Sequence, residues 1–166
     1  MNRMLLTMLL VLTAFPASAS DGAGMFGQGR SHLSLVAGNG YAFDSSYLVI
    51  GASGTYYVLD GLGVGLSLES WSGADPGITK YAPFVQYVIY QASVVQPYLG
   101  GFYRHSSVSG QPSIESVGGR AGFYFASGPN AYVSVGMVYE SYIDCTNAVY
   151  SSCSSTYPEI TLAFGF

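Results

Sequence analysis

The sequence Tyr157-Pro-Glu-Ile-Thr-Leu-Ala-Phe-Gly-Phe166 decides the fold class of this chain. Side chains of a β-strand point alternately to its two faces. One face of this stretch is therefore continuously apolar and ends in an aromatic residue: Pro158, Ile160, Leu162, Phe164 and Phe166. The other face carries small or polar side chains and one carboxylate, Glu159. This pattern is typical of a strand whose outer face meets lipid.

A terminal Phe that follows apolar residues at alternate positions resembles the C-terminal signature of bacterial outer-membrane β-barrels. The resemblance implies that Phe166 is an assembly signal, read by the barrel assembly machinery of that membrane. It also implies that outer-membrane lipids surround the folded protein.

The beginning of the chain reads as a secretory signal peptide, residues 1–19. Arg3 supplies a positive charge, residues 4–15 form an apolar core, and Ala17-Ser18-Ala19 is a small-residue cleavage site. The apolar core is shorter than the ~20 residues that a transmembrane helix needs. We therefore expect export and cleavage. Residues 20–166 remain as one domain, whose first part, 20–28, shows no strand pattern.

Charged residues are rare, at 8% of the chain, against about 25% in ordinary soluble domains. Without residues 1–19 the chain has four basic and nine acidic residues. This balance argues against a nucleic-acid partner, because phosphate binding needs clustered Lys and Arg.

Alternating segments separated by turn residues predict eight strands: 29–38, 46–58, 62–71, 79–90, 95–107, 116–126, 131–143 and 157–166. The short connections, 59–61, 91–93 and 127–130, all fall at one end, and the longer ones at the other, as in outer-membrane barrels. A soluble ligand-binding barrel would place its apolar residues inside instead. We predict an all-β, eight-stranded antiparallel up-and-down transmembrane barrel. The chain resembles small outer-membrane barrels of the protein X and protein A transmembrane-domain type.

The predicted inward faces carry three carboxylates and three cations, in the outer half of the lumen: Glu69, Lys80, Arg104, Arg120, Glu140 and Glu159. Because an eight-stranded barrel has room only for its own side chains, buried charges there must pair. We predict a salt-bridge network, with Arg120 and Glu140 as diagonal neighbours. A polar pocket open to the outside, or a gated channel, is the alternative.

Two cysteines, Cys145 and Cys153, lie in the longest predicted loop, 144–156. A close pair in an exported protein predicts a disulfide bond. The ring would restrict residues 147–150 and so lower the ordering cost of meeting an external partner. Protection of the loop from proteases is an equal alternative.

His105 and Ser107 are similar to the His-x-Ser of the outer-membrane lipid A 3-O-deacylases. The resemblance implies His105 as base and Ser107 as nucleophile, with Glu115 orienting the imidazole. No Asn-Ala follows Ser107, and the pair lies on the fifth predicted strand rather than late in the chain. His32 is predicted to be a lone histidine without partners.

The sequence therefore favours a monomeric structural or surface-interaction protein over an enzyme, and predicts no catalytic, cofactor or metal site. The alternatives are a lipid-modifying hydrolase that uses His105 and Ser107, and a narrow channel.

Overall fold

A computed structural model describes residues 24–42, 45–92, 94–145 and 153–166. The predicted signal peptide, 1–19, lies outside these residues. After a short 3₁₀ turn at Gly24–Phe26 come eight strands: β1 Ser31–Ala42, β2 Ser45–Leu59, β3 Leu62–Ser72, β4 Ile78–Val88, β5 Val95–Val108, β6 Ile114–Gly128, β7 Ala131–Tyr142 and β8 Ser154–Gly165. Each strand pairs with the next and β8 pairs with β1, so the sheet is a closed antiparallel barrel. The predicted fold class is confirmed.

Apolar side chains cover the outside of the barrel. On β3, Val64, Leu66 and Leu68 are exposed, whereas Ser67, and Trp71 further along the strand, are buried in the lumen. The same alternation holds on β4, where every second residue is buried. This distribution is the reverse of a soluble barrel and suits a lipid-facing exterior. No helix in the described part of the chain is long and apolar enough to cross a membrane.

The strands differ from their predicted bounds at both ends. At the inner end, β1 begins at Ser31 instead of residue 29, β4 ends at Val88 instead of residue 90, and β6 ends at Gly128 instead of residue 126. The differences at the outer end are larger. β1 continues to Ala42 and β8 begins at Ser154, because backbone pairing with β2 and β7 extends beyond the alternating segments. Residues 154–156, predicted as loop, are therefore part of β8. Backbone hydrogen bonds between strands do not require alternating apolar and polar side chains. A strand can therefore be longer than the alternating segment of sequence that predicts it.

Glycines on the lumen face make room for aromatic rings. A Cβ atom added at Gly136 would collide with the Tyr98 hydroxyl oxygen, and one at Gly122 would lie 2.9 Å from Cε1 of the same ring. Neither position leaves space for a side chain. The inner part of the barrel is therefore filled by large rings that stand opposite residues without side chains.

Residues Met25 and Phe26 insert into the inner mouth of the barrel. Phe26 is 2% exposed, and its ring lies 5.1–5.8 Å from four lumen rings, those of His32, Tyr57, Tyr124 and Tyr132. The Phe26 carbonyl accepts a hydrogen bond from the Gly61 amide, at 2.8 Å, which ties the segment to the turn between β2 and β3. The sequence showed no pattern in residues 20–28, yet these two side chains close the inner end.

Candidate functional site: the charged lumen

The Arg104 side chain, on the inner face of β5, is the centre of the charged lumen. Its Nη1 donates to Glu140 Oε2 at 2.7 Å and to the Tyr157 hydroxyl at 2.5 Å. Its Nη2 donates to Glu69 Oε1 at 3.2 Å. Arg104 is 1% exposed. One guanidinium therefore joins carboxylates from β3 and β7.

Further hydrogen bonds hold the Glu140 carboxylate in place. Ser116 Oγ donates to its Oε1 at 2.5 Å, and the Tyr157 hydroxyl donates to its Oε2 at 3.1 Å. Both partners lie on strands that neighbour β7. Ser116 and Tyr157 were not predicted as members of the network, although Tyr157 shares the inward face with Glu159. The buried Glu140 carboxylate thus accepts hydrogen bonds from three side chains, one of them charged.

Arg120 pairs with Glu159 rather than with Glu140. The distance from Arg120 Nη1 to Glu159 Oε1 is 3.7 Å, and the guanidinium also lies 4.7 Å from the centre of the Phe84 ring. The register places Arg120 opposite Val138, so Glu140 is its diagonal neighbour as expected. The predicted Arg120–Glu140 pairing is nevertheless wrong, because Arg104 on β5 reaches Glu140 past the intervening strand β6.

Lys80 lies at the outer end of the network without an ion pair to any described residue. Its ammonium nitrogen is 3.8 Å from the centre of the Trp71 ring. It faces Glu69 across the β3–β4 ladder. The structure therefore brings all six predicted lumen residues into one region, with Arg104 holding two carboxylates and Lys80 holding none.

The inner part of the lumen is closed by a chain of hydrogen bonds and rings. Gln86 Nε2 donates to the Tyr57 hydroxyl at 3.1 Å, and this hydroxyl lies 3.3 Å from His32 Nδ1. His32 Nε2 donates to the Met25 carbonyl at 2.7 Å. The prediction that His32 has no partners is therefore wrong. The free space between this layer and the charged network is a cavity of about 20 Å³, room for about one water molecule.

The outward-facing His105 contacts Glu115 through its Nδ1, and the Tyr81 ring stacks on it at 4.8 Å. Glu115 stands directly opposite His105 on β6, so the carboxylate expected to orient the imidazole is present. Ser107 is exposed two residues further along β5, and in the described part of the chain no hydrogen bond joins it to His105. The structure thus supplies two of the three groups of the hydrolase hypothesis in contact.

Cys145 and Cys153 form a disulfide bond, as predicted. The bond lies beyond the outer ends of β7 and β8, where the Tyr142 amide donates to the Cys153 carbonyl at 3.0 Å. Residues 147–150, for which the ring was expected to limit the conformations, lie outside the described residues. The disulfide therefore ties the two strand ends at the outer mouth of the barrel.

No protein-family model and no curated protein sequence matches the chain. Several solved structures are similar to it. The N-terminal β-barrel domain of Pseudomonas aeruginosa OprF is 12% identical, with a TM-score of 0.65 over 84% of this chain and 99% of that one.

Two further solved structures share the fold at similar identity. The outer membrane protein OprG from Pseudomonas aeruginosa is 14% identical, with a TM-score of 0.53 over 88% of this chain and 99% of that one. The attachment invasion locus protein Ail of Yersinia pestis is 19% identical, with a TM-score of 0.51 over 84% and 99%. At these identities the likeness concerns the fold. Together with the closed eight-stranded barrel and its apolar exterior, it shows that this chain has the fold of the small bacterial outer-membrane β-barrels.

Proposed function

We propose that this protein is a monomeric outer-membrane barrel with a structural or surface-interaction role and a closed, salt-bridged lumen. The observation that carries the proposal is the filled inner half of the barrel. Phe26 and Met25 occupy the inner mouth, and the rings of Tyr57, Tyr98 and Tyr124 pack against them. A lumen filled in this way offers no continuous path for water or ions, which argues against a narrow channel.

The lumen carboxylates are poor candidates for acid–base chemistry. Glu69 and Glu140 are both held by Arg104, and Glu159 is held by Arg120. A general acid or base must be free to exchange a proton with a substrate within hydrogen-bond reach. Carboxylates that already accept several hydrogen bonds in a buried network favour a structural role.

The outer mouth and the C-terminal strand are the surfaces through which this protein meets others. The disulfide-closed segment between β7 and β8 is the proposed site of an external partner, because a closed ring has less conformational freedom to lose on binding. Phe166 is 69% exposed, so its side chain is accessible to the barrel assembly machinery during biogenesis.

A lipid-modifying hydrolase is the second candidate, and the contact between His105 and Glu115 favours it. The test is mass-spectrometric analysis of outer-membrane lipids from cells that lack the protein, express it, or express the His105→Ala variant. For the structural role we expect the same acyl chains in all three, because no base among the residues that the structure describes is hydrogen-bonded to Ser107. The Ser109→Ala variant, which changes a nearby loop serine, is the matched control.

Acyl chains that change when the wild-type protein is expressed, but not with His105→Ala, would establish the hydrolase and reject the structural role. A change that persists in the His105→Ala variant would instead point to an indirect effect on the membrane. In that case the structural role stands.

Replacing both cysteines by serine should leave a folded barrel whose outer loop is more flexible. A ring of this size removes roughly 2–3 kcal/mol of conformational freedom from the unfolded chain, but the strands are already fixed by closure of the barrel. We expect unchanged heat-modifiable migration on gels and faster protease cleavage between Cys145 and Cys153. Wild-type protein treated with reductant is the control, and loss of the barrel in the double variant would contradict a local role.

A further inference from the structure

The seam between β1 and β8 is open in its outer half. The two strands pair over only five positions, from His32 opposite Gly165 to Val36 opposite Thr161. Both continue beyond that point: β1 runs on to Ala42 paired with β2, and β8 begins at Ser154 paired with β7. Among the described residues, the outer halves of these two strands therefore have no ladder between them.

Pro158 lies in the part of β8 that pairs with β7 but not with β1. Proline has no backbone N–H to donate, so within sheets it is confined to edges and irregular positions. Here it pairs with Met137 of β7 on one side and faces the gap toward β1 on the other. The sequence thus places a residue that cannot donate a ladder hydrogen bond in the seam.

A cavity of about 410 Å³ lies behind this gap, within the usual range for small-molecule sites. Its wall includes residues from both faces of the seam strands, among them the lipid-facing Pro158 and Ile160 and the lumen-facing Tyr157 and Glu159. The cavity therefore connects the charged lumen sideways with the apolar exterior. A ligand that fits it has a polar end inside the barrel and an apolar end in the membrane.

Lys80 supplies the charge that selects this ligand. It lines the cavity together with Trp71, and in the described part of the structure its ammonium group makes no hydrogen bond or ion pair. The three lumen carboxylates already have arginine partners. Apart from its contact with the Trp71 ring, this positively charged donor has no acceptor among the described residues, and it calls for an anionic oxygen.

We propose that this cavity binds a free fatty acid that enters through the β1–β8 seam. Its carboxylate accepts hydrogen bonds from Lys80 Nζ, while its acyl chain passes between Pro158 and Ile160 of β8 and the facing part of β1 into the outer leaflet. Because the inner half of the barrel is filled, the site holds the ligand without releasing it to the periplasm. This binding activity is independent of the surface role proposed above.

The single tryptophan of the chain, Trp71, reports on the cavity directly. The purified protein in phosphatidylcholine nanodiscs is titrated at alkaline pH with stearic acid that carries a nitroxide on its fifth carbon. We expect saturable quenching of Trp71 fluorescence by this acid. The methyl ester of the same probe lacks the charge and should bind the wild-type protein at least about tenfold more weakly. The acid should bind the Lys80→Met variant with a similarly reduced affinity.

Two glycines provide a matched pair of variants that leaves Lys80 intact. Gly38 lines the cavity on β1, and a Cβ atom added there meets nothing within 4 Å; the same is true of the exposed Gly54 on β2. Gly38→Phe should fill the entrance and abolish saturable quenching, whereas Gly54→Phe should quench like the wild type. Heat-modifiable migration on gels checks that each variant is folded.

Equal quenching by the acid and its ester, or full quenching in folded Gly38→Phe, would overturn the proposal. Either result would mean that the probe reaches Trp71 only by partitioning into the lipid.

Discussion

Replacing Arg104 by Met should lower the free energy of unfolding by about 3–5 kcal/mol, since removal of one partner leaves buried charge uncompensated. Arg104 is the common donor to Glu69 and Glu140, and Glu140 is 0% exposed. Methionine fills a similar volume without a charge, so the loss reports on the stranded carboxylates rather than on a void. Urea-induced unfolding of the protein refolded into detergent micelles measures it.

A double-mutant cycle with Glu140→Gln isolates the ion pair. If the two groups act together, the double variant should lose less than the sum of the single losses, with a coupling of about 1–3 kcal/mol. Purely additive losses would show that Arg104 and Glu140 contribute separately, and would contradict a network centred on Arg104.

Arg120→Met is the matched control for the Arg104 experiment. Arg120 also lies in the lumen, but it has a single carboxylate partner at 3.7 Å, and both side chains keep about a tenth of their surface exposed. We expect a clearly smaller loss of stability, because only one, partly hydrated carboxylate is left without its cation. A loss as large as that of Arg104→Met would mean that any missing lumen cation has the same effect.

Replacing Phe26 by Ala should cost about 3–5 kcal/mol, the usual range for a fully buried Phe. The ring is surrounded by aromatic side chains of the inner mouth, and the strands around it are fixed by barrel closure. The void left by the ring therefore has little scope to collapse. Equilibrium unfolding in urea measures this loss in the free energy of unfolding. The dependence of that free energy on urea concentration should be unchanged, which shows that the transition stays two-state.

Gln28→Ala, two residues further along the same segment, is the control for Phe26→Ala. Gln28 is exposed, and its side-chain amide donates one hydrogen bond to the Val58 carbonyl at 3.1 Å. Its removal should cost no more than about 1.5 kcal/mol. Similar losses for the two variants would mean that the buried Phe26 ring contributes no more to stability than the side chain of an exposed residue.

Alternation in the sequence was sufficient to predict which side chains face lipid and which face the lumen. Val64 and Leu66 point outward and Ser67 inward, as expected from their positions on β3. The prediction works because the two faces of a strand are fixed by the backbone period alone. The disulfide was predictable for a similar reason, since its two cysteines are close in sequence and have no competitors.

The contacts inside the lumen depended on the closed barrel. Arg120 and Glu140 lie on neighbouring strands and were the expected pair, but the long side chain of Arg104 reaches Glu140 from two strands away. His32 gained its partners from Met25 and Tyr57, the first of which belongs to a segment without any strand pattern. No rule of sequence spacing describes distances across a barrel.

By itself, the sequence determined the number of strands, their lipid-facing sides and the inward position of the six charged lumen residues. These follow from local backbone geometry. Only the tertiary structure showed which carboxylates Arg104 binds, that Phe26 fills the inner mouth, and that the outer halves of β1 and β8 do not pair. These features depend on the stagger with which eight strands close and on the narrow diameter of the barrel. Both bring together residues from opposite ends of the chain.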